Sequence, residues 1–328
     1  MESARFTDAY HKVANCIAIE KNEIAFTNPI NQSEFSEYLY LLNFKFMKIN
    51  ELLLDFRTTS RCNMGCDLCF RNPGIDEQPL QKIREVITKM FHMGFRRIGF
   101  TGGEPTIRTD CIDMIEYAKK MGFLTYLSTV GNKFTTDLHL LNGILDWVGL
   151  PIDGIDYQTN AAVRSEVMGK QHEVIRDIFI FLANNPTTIK IKLTTVVTKA
   201  NINELDSIVS FVTQLPYTFN VWRFYQFCPL GIGKSKQEKL EISTDEFLCH
   251  MNNLKAKYND FPISWATFEE RDKANVVMEP NFDVIIPNGD QYGYLCNMQK
   301  DDGGFIVASI IKRKDILKKC ANNRFWVY

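Results

Sequence analysis

The sequence predicts an α/β protein built around a parallel sheet, and three observations predict it. Short runs rich in apolar and β-branched residues recur at 51–57, 97–101, 123–129, 146–152, 189–197 and 221–227, as strands do. Helical spacing fills the intervals between them, and strands joined by helical crossovers lie parallel. The fifth run reads IKIKLTTVV, which puts Lys190, Lys192 and Thr194 on one face and Ile189, Ile191 and Leu193 on the other. A doubly wound sheet covers both faces with helices and strands those lysines, whereas a barrel lumen gives them water or an anion. The expectation is therefore a partial (β/α)6 barrel over 51–232, with an N-terminal extension (1–50) and a small C-terminal capping region (233–328).

Taken in order, residues 33–46 suit a helix beneath the barrel and 16–26 a hairpin, and neither carries recognisable chemistry. After Pro79, Leu80, Ile83, Ile87, Met90 and Phe91 recur at three-to-four spacing, and Gly94 closes that helix. Further helices are expected over 113–120, 172–183 and 203–214. The run KSKQEK, 234–239, reads as a solvated linker. Beyond it, FDVIIPNGDQYGYLC places Pro287-Asn288-Gly289 between apolar runs, a hairpin signal, expected to cap the barrel mouth.

Composition removes several function classes. The 328 residues are 45% hydrophobic, enough for a large core. Lys and Arg total 38 against 39 acidic residues, so no overall field draws the chain to nucleic acid or an anionic membrane. Charges interrupt the first thirty residues, and the longest uncharged run, 207–222, is short of a membrane span. A cytoplasmic location is expected. Nine cysteines in a chain of this length point to metal binding or catalysis rather than a disulfide framework.

Three of them fall in RCNMGCDLCF: Cys62, Cys66 and Cys69 follow the first strand in one loop. A structural zinc site wants four ligands, and no second Cys-x-x-Cys or His pair stands nearby. Three thiolates on a cube of four irons leave one iron open for a ligand that comes and goes. At the end of the next strand, Gly102-Gly103-Glu104-Pro105 supplies two glycines that permit close backbone approach.

Cys62-x-x-x-Cys66-x-x-Cys69 followed by Phe70 resembles the signature of radical S-adenosylmethionine (SAM) enzymes, and Gly102-Gly103-Glu104-Pro105 resembles their GGEP motif. The resemblance spans about residues 50 to 230. It implies a [4Fe–4S] cluster on the three cysteines, SAM on the open iron, and the backbone and Glu of GGEP around the SAM amino group. It also implies reductive cleavage of SAM to a radical that removes a hydrogen atom from substrate, with flavodoxin or ferredoxin as electron donor. By the same resemblance Ser128, in LSTVGN, is a candidate for the SAM ribose or carboxylate. Asp153 matches an acidic position, although Pro151 replaces a frequent serine, and Arg164 is a candidate partner of the SAM carboxylate.

Within the family, Lys192-Leu193-Thr194-Thr195-Val196-Val197 and Trp222-Arg223-Phe224-Tyr225-Gln226 are similar to segments of viperin-like members, and the chain also resembles molybdenum-cofactor GTP cyclases. That implies Lys192, Arg223 and Gln226 near a small polar substrate, with a nucleotide among the candidates. Val221 stands where viperin has a basic residue, which thins the phosphate-binding set. The late cysteines Cys228, Cys249, Cys296 and Cys320 lack paired spacing and read as small buried hydrophobes or incidental thiols. Gly231 and Gly233 read as a turn that leaves a strand. Two alternatives remain open: radical modification of a ribosomally made peptide, and a non-catalytic iron–sulfur or zinc redox sensor.

Overall fold

The computed structural model describes residues 17–20, 23–26, 49–272, 275–303, 306 and 310. The helix expected over 33–46 and Cys320 lie outside them. The N-terminal hairpin forms, with strands β1 (Ile17–Glu20) and β2 (Glu23–Phe26) pairing antiparallel.

Six parallel strands make the barrel wall: β3 (Leu53–Thr59), β4 (Arg97–Gly102), β5 (Leu124–Ser128), β6 (Trp147–Pro151), β7 (Lys190–Val197) and β8 (Val221–Gln226), each hydrogen-bonded to the next. They are the six runs read from the sequence. The crossovers carry helices α1 (Leu80–His92), α2 (Cys111–Met121), α3 (Phe134–Leu141), α4 (Tyr157–Val163), α5 (Gln171–Asn184) and α6 (Leu205–Thr213). α1 buries Ile83, Val86, Ile87 and Met90, the predicted stripe with Val86 added. Gly122 ends α2 at φ +96°, a left-handed cap that a glycine adopts without strain.

Strand parity divides the sheet. Leu54, Phe56, Ile98, Phe100, Leu127, Val148, Leu150, Ile191, Leu193, Trp222 and Phe224 pack outward in one core with the helices. Each such side chain contributes about 1.5–3 kcal/mol by leaving water. The alternate residues, Asp55, Arg57, Gly99, Tyr126, Gly149, Lys192, Arg223 and Tyr225, face the lumen. One of the two predicted lysines goes inside. Lys192 is 3% exposed, whereas Lys190, first in β7, stays exposed with its ammonium 5.2 Å from the Trp147 ring.

The wall extends at both ends into a ten-stranded sheet. Beside β8 lies a parallel strand, β9 (Ile263–Ala266). Beside β3 lies β10 (Val276–Met278), also parallel, followed by the antiparallel pair β11 (Asp283–Asn288) and β12 (Gln291–Asn297). The Pro287-Asn288-Gly289 hairpin thus forms, and it continues the sheet edge instead of standing as a separate layer. KSKQEK is not a linker. It folds as a 3-10 turn running into α7 (Gln237–Leu240), with Lys236 and Lys239 beside Asp67. Helices α8 (Thr244–Lys257) and α9 (Phe268–Arg271) complete this side. Among the described residues no helix is long and apolar enough to cross a membrane.

Candidate active site

The cysteine loop leaves the carboxyl end of β3, and several elements hold it. Gly103 N–H donates to Thr59 O at 2.7 Å and Glu104 N–H to Arg61 O at 3.0 Å, which ties the GGEP turn to the loop. A Cβ on Gly103 would lie 1.8 Å from Arg61 O, so glycine is required there by contact. From the far side of the barrel, Gly233 N–H donates to Cys69 O at 2.8 Å. A Cβ on Gly231, at φ +55°, would lie 2.3 Å from Arg71 O. The Gly231–Gly233 turn therefore docks on the cysteine loop. Ser165 Oγ donates to Met64 O at 2.6 Å and Asp67 N–H to Arg164 O at 2.5 Å.

Cys62, Cys66 and Cys69 are free thiols that pack together with Met64 and Val130. Burial pushes the Cys66 thiol up, against the pull of the Arg164 guanidinium, whose Nη1 lies 3.8 Å from its sulfur. Among the described residues no three His, Cys, Asp or Glu side chains converge on a point where one metal ion would sit. Three ligands to a cubane go to three different irons and need no such convergence. A pre-tied loop carrying three thiols suits a cluster.

Glu104 is 3% exposed. Its Oε1 accepts from Thr106 N–H at 3.1 Å, Thr106 Oγ1 at 2.6 Å and Thr129 Oγ1 at 2.7 Å, and its Oε2 accepts from Val130 N–H at 2.9 Å. The carboxylate thus binds the β4 turn to the β5 turn, while Oε2 keeps acceptor capacity. Pro105 starts the short 3-10 turn that Glu104 caps. The sequence reading took Ser128 from this region and missed its neighbour Thr129. Ser128 ends β5 on the lumen side, hydrogen-bonded to the Tyr126 side chain.

Asp153 and Arg164 meet as a buried ion pair, and Asp153 Oδ1 also accepts from Val196 N–H at 2.7 Å. Arg164 thus bridges the end of β6 to Cys66, with its guanidinium committed to Asp153. Phe70 is 40% exposed. Its carbonyl accepts from Arg57 Nη2 at 3.1 Å and from Tyr292 Oη at 2.8 Å, and the Arg57 guanidinium lies 5.0 Å from the Phe70 and Tyr292 rings. Arg57 Nη1 pairs with Glu279 Oε1 at 2.7 Å, which also receives Asn72 Nδ2 at 2.9 Å. Phe70, Tyr292, Arg271, Cys228, Val277 and Pro287 line a cavity in the lateral opening of the barrel.

Deeper in the lumen, Lys192 Nζ donates to Tyr225 Oη at 3.0 Å and lies 5.6 Å from both the Tyr126 and Tyr225 rings. Burial pulls the lysine below its ordinary value, with Tyr225 opposing. Burial alone would raise the Tyr225 phenol, but Lys192 and Arg223 outweigh it and hold it below. The Arg271 guanidinium lies 4.6 Å from the Tyr225 ring. Asp55 sits among these cations, its carboxyl pushed up to about 6 by burial against the pull of Lys192, Arg57 and Arg271. Lys192 and Arg223 are thus brought together as expected, and Gln226 is not. Three positions after Arg223 it has the opposite parity, and its amide donates to Ile242 O at 3.0 Å and accepts from Phe268 N–H at 2.8 Å. It holds β8 to α9. The sequence reading missed Asp55, Tyr126, Tyr225 and Arg271, and period-2 alternation alone would have placed the first three in the lumen. Cys228 and Cys296 are buried thiols pushed up to about 11 and about 12 by burial, and Cys249 is exposed.

The radical SAM superfamily profile matches residues 56–212. An S-adenosylmethionine-dependent nucleotide dehydratase of Flammeovirga pacifica is 30% identical over 214 residues, covering 61% of this chain and 71% of the relative. The mycofactocin maturase MftC of Mycolicibacterium smegmatis is 25% identical over 200 residues, 60% of this chain and 49% of the relative, so the chain spans about half of that protein. Among solved structures, Streptococcus suis SuiB bound to S-adenosylmethionine superposes with a TM-score of 0.58 at 15% identity, covering 78% of this chain and 66% of that one. That likeness establishes a shared fold. The chain belongs to the radical SAM superfamily of enzymes, whose cofactors are S-adenosylmethionine and a [4Fe–4S] cluster.

Proposed function

We propose that Cys62, Cys66 and Cys69 ligate the cluster and that the enzyme abstracts a hydrogen atom from a small anionic substrate, with a nucleotide the best fit. The cofactors supply the one-electron chemistry. The chain binds and orients. Gly102 and Gly103 bring backbone against the cysteine loop, Glu104 Oε2 receives the SAM ammonium, and Ser128 stands within reach of the ribose. Arg164 holds the loop through Asp153, and Phe70 shields the loop's outer side.

One observation carries the substrate class. Arg57, Lys192, Arg223 and Arg271, from four different elements, gather around the lumen and its lateral opening. A group of cations facing one cavity suits an anionic substrate. The dehydratase relative supports a nucleotide, and its membership of an enzyme family removes the reason to keep the sensor reading. A second reading is favoured by β12, the terminal strand of the described sheet, with Tyr294 62% exposed. Such an edge accepts an extended peptide.

Anaerobically reconstituted enzyme, with dithionite standing in for flavodoxin or ferredoxin, tests both. SAM cleavage to 5′-deoxyadenosine should rise with a nucleoside triphosphate and vanish in Cys66→Ala. Lys192→Ala should lose the nucleotide response while retaining slow uncoupled cleavage. A response to peptide alone would overturn the nucleotide reading.

A further inference from the structure

Asp55 lies in the middle of β3, away from the cysteine loop, and one strand gives way to it and another to its neighbour Tyr126. Gly99 on β4 is its register partner, and a Cβ there would lie 2.6 Å from Asp55 Oδ1. A Cβ on Gly149 of β6 would lie 1.8 Å from Tyr126 Oη. The missing side chains let a carboxylate and a phenol lean across the barrel, where any larger residue would collide with them. Lys192 from β7, Arg57 from β3, Arg271 from α9 and Tyr126 from β5 all act electrostatically on Asp55, and Tyr225 and Arg223 from β8 act on Lys192. The result is one carboxylate in a lumen otherwise lined by cations and phenols.

We infer that Asp55 is a specificity-determining residue: it receives a hydrogen-bond donor on the head group of the substrate, an amino group of a nucleobase, while the surrounding cations take its phosphates. This rests on the nucleotide reading of the same lumen. An ionised carboxylate accepts from an amino group and repels a carbonyl at the same position, so it separates bases whose exocyclic groups differ there. Cytidine and uridine triphosphates form one such pair and adenosine and inosine triphosphates another, the adjacent ring nitrogen changing from acceptor to donor in each.

The test is calorimetric binding of those four nucleotides to the reconstituted holoenzyme and to its Asp55→Asn variant, at pH 7.5 and 5.5, with SAM binding measured alongside to confirm an intact barrel. The parent should bind the amino member of at least one pair about tenfold or more tightly, the range of a charge-assisted hydrogen bond. That preference should shrink at pH 5.5, and in Asp55→Asn it should be lost at both pH values, because an amide both donates and accepts. A parent that binds all four equally, or a variant that keeps the preference, overturns the inference. A parent that binds none of them refutes the nucleotide reading itself.

Discussion

Replacing Gly103 with alanine tests whether the GGEP turn and the cysteine loop form one unit. The new Cβ would lie 1.8 Å from Arg61 O, 2.5 Å from Arg61 C and 2.9 Å from Cys62 Cβ, and real Cβ atoms essentially never come within 3.0 Å of another heavy atom. The obstacle is backbone, which cannot rotate away, so the loop must retreat by more than about 1 Å in a close-packed interior. Retreat breaks Gly103 N–H to Thr59 O and Glu104 N–H to Arg61 O. Overpacking costs about 1–3 kcal/mol and each of the two lost hydrogen bonds about 1 kcal/mol, so a loss of about 3–5 kcal/mol is expected. That lowers the midpoint of thermal unfolding by roughly 6–10 °C for a chain of this size. The cluster should suffer too, since Cys62 is the next residue, and iron per chain after reconstitution should fall. Gly293→Ala is the control, because its nearest neighbour to a new Cβ, Asn288 Cβ, lies at an ordinary 3.6 Å. Equal unfolding midpoints and equal iron in the two variants would refute the contact argument.

The Asp55 carboxyl stays protonated to about pH 6 in the fold against an ordinary 3.8, so it adds nothing at pH 3 and its full penalty above pH 6. Stability of the apo-protein should therefore fall by up to about 3 kcal/mol between pH 4 and 7 on this account, and Asp55→Asn should abolish that fall in denaturant unfolding. Arg164→Leu leaves Asp153 charged and buried, a loss of about 3–5 kcal/mol, and adding Asp153→Asn should recover part of it; a double variant no better than the single would refute the pairing. Glu104→Gln turns an amino group toward Val130 N–H or the Thr129 hydroxyl, and SAM affinity by calorimetry should drop about tenfold or more. An unchanged affinity would show that the carboxylate serves the turn alone. Tyr292→Phe removes a donor to the Phe70 carbonyl and should destabilise by about 1 kcal/mol in thermal unfolding.

Local information was enough for the barrel wall and the cysteine loop. Strand periods are short, and Cys62, Cys66 and Cys69 are adjacent in sequence, so nothing distant had to be known. The lumen was harder. Asp55 and Tyr126 are 71 residues apart and lie together over Gly99, whose strand runs between theirs, a relation set by register. Gln226 looked like part of the site because it ends the Trp222–Gln226 segment similar to viperin-like members, but an odd offset from Arg223 turns it to the other face. β9 and β10 are short strands of four and three residues, stabilised by pairing with β8 and β3, and so left little pattern of their own. Ser128 and Thr129 differ by one position in the same way: the first faces the lumen and the second reaches Glu104.

The grip of Tyr292 and Glu279 on the segment around Phe70 has a consequence for biogenesis. During synthesis the thiols emerge more than two hundred residues before the hydroxyl and carboxylate that fasten their neighbourhood. A ribosome-bound intermediate truncated before residue 275 would carry all three thiols and the ties from Gly103, Ser165 and Gly233, yet lack the clasp. Iron insertion into such a nascent chain would meet a loop still open on its Phe70 side, so its final closure waits for the last strands to arrive.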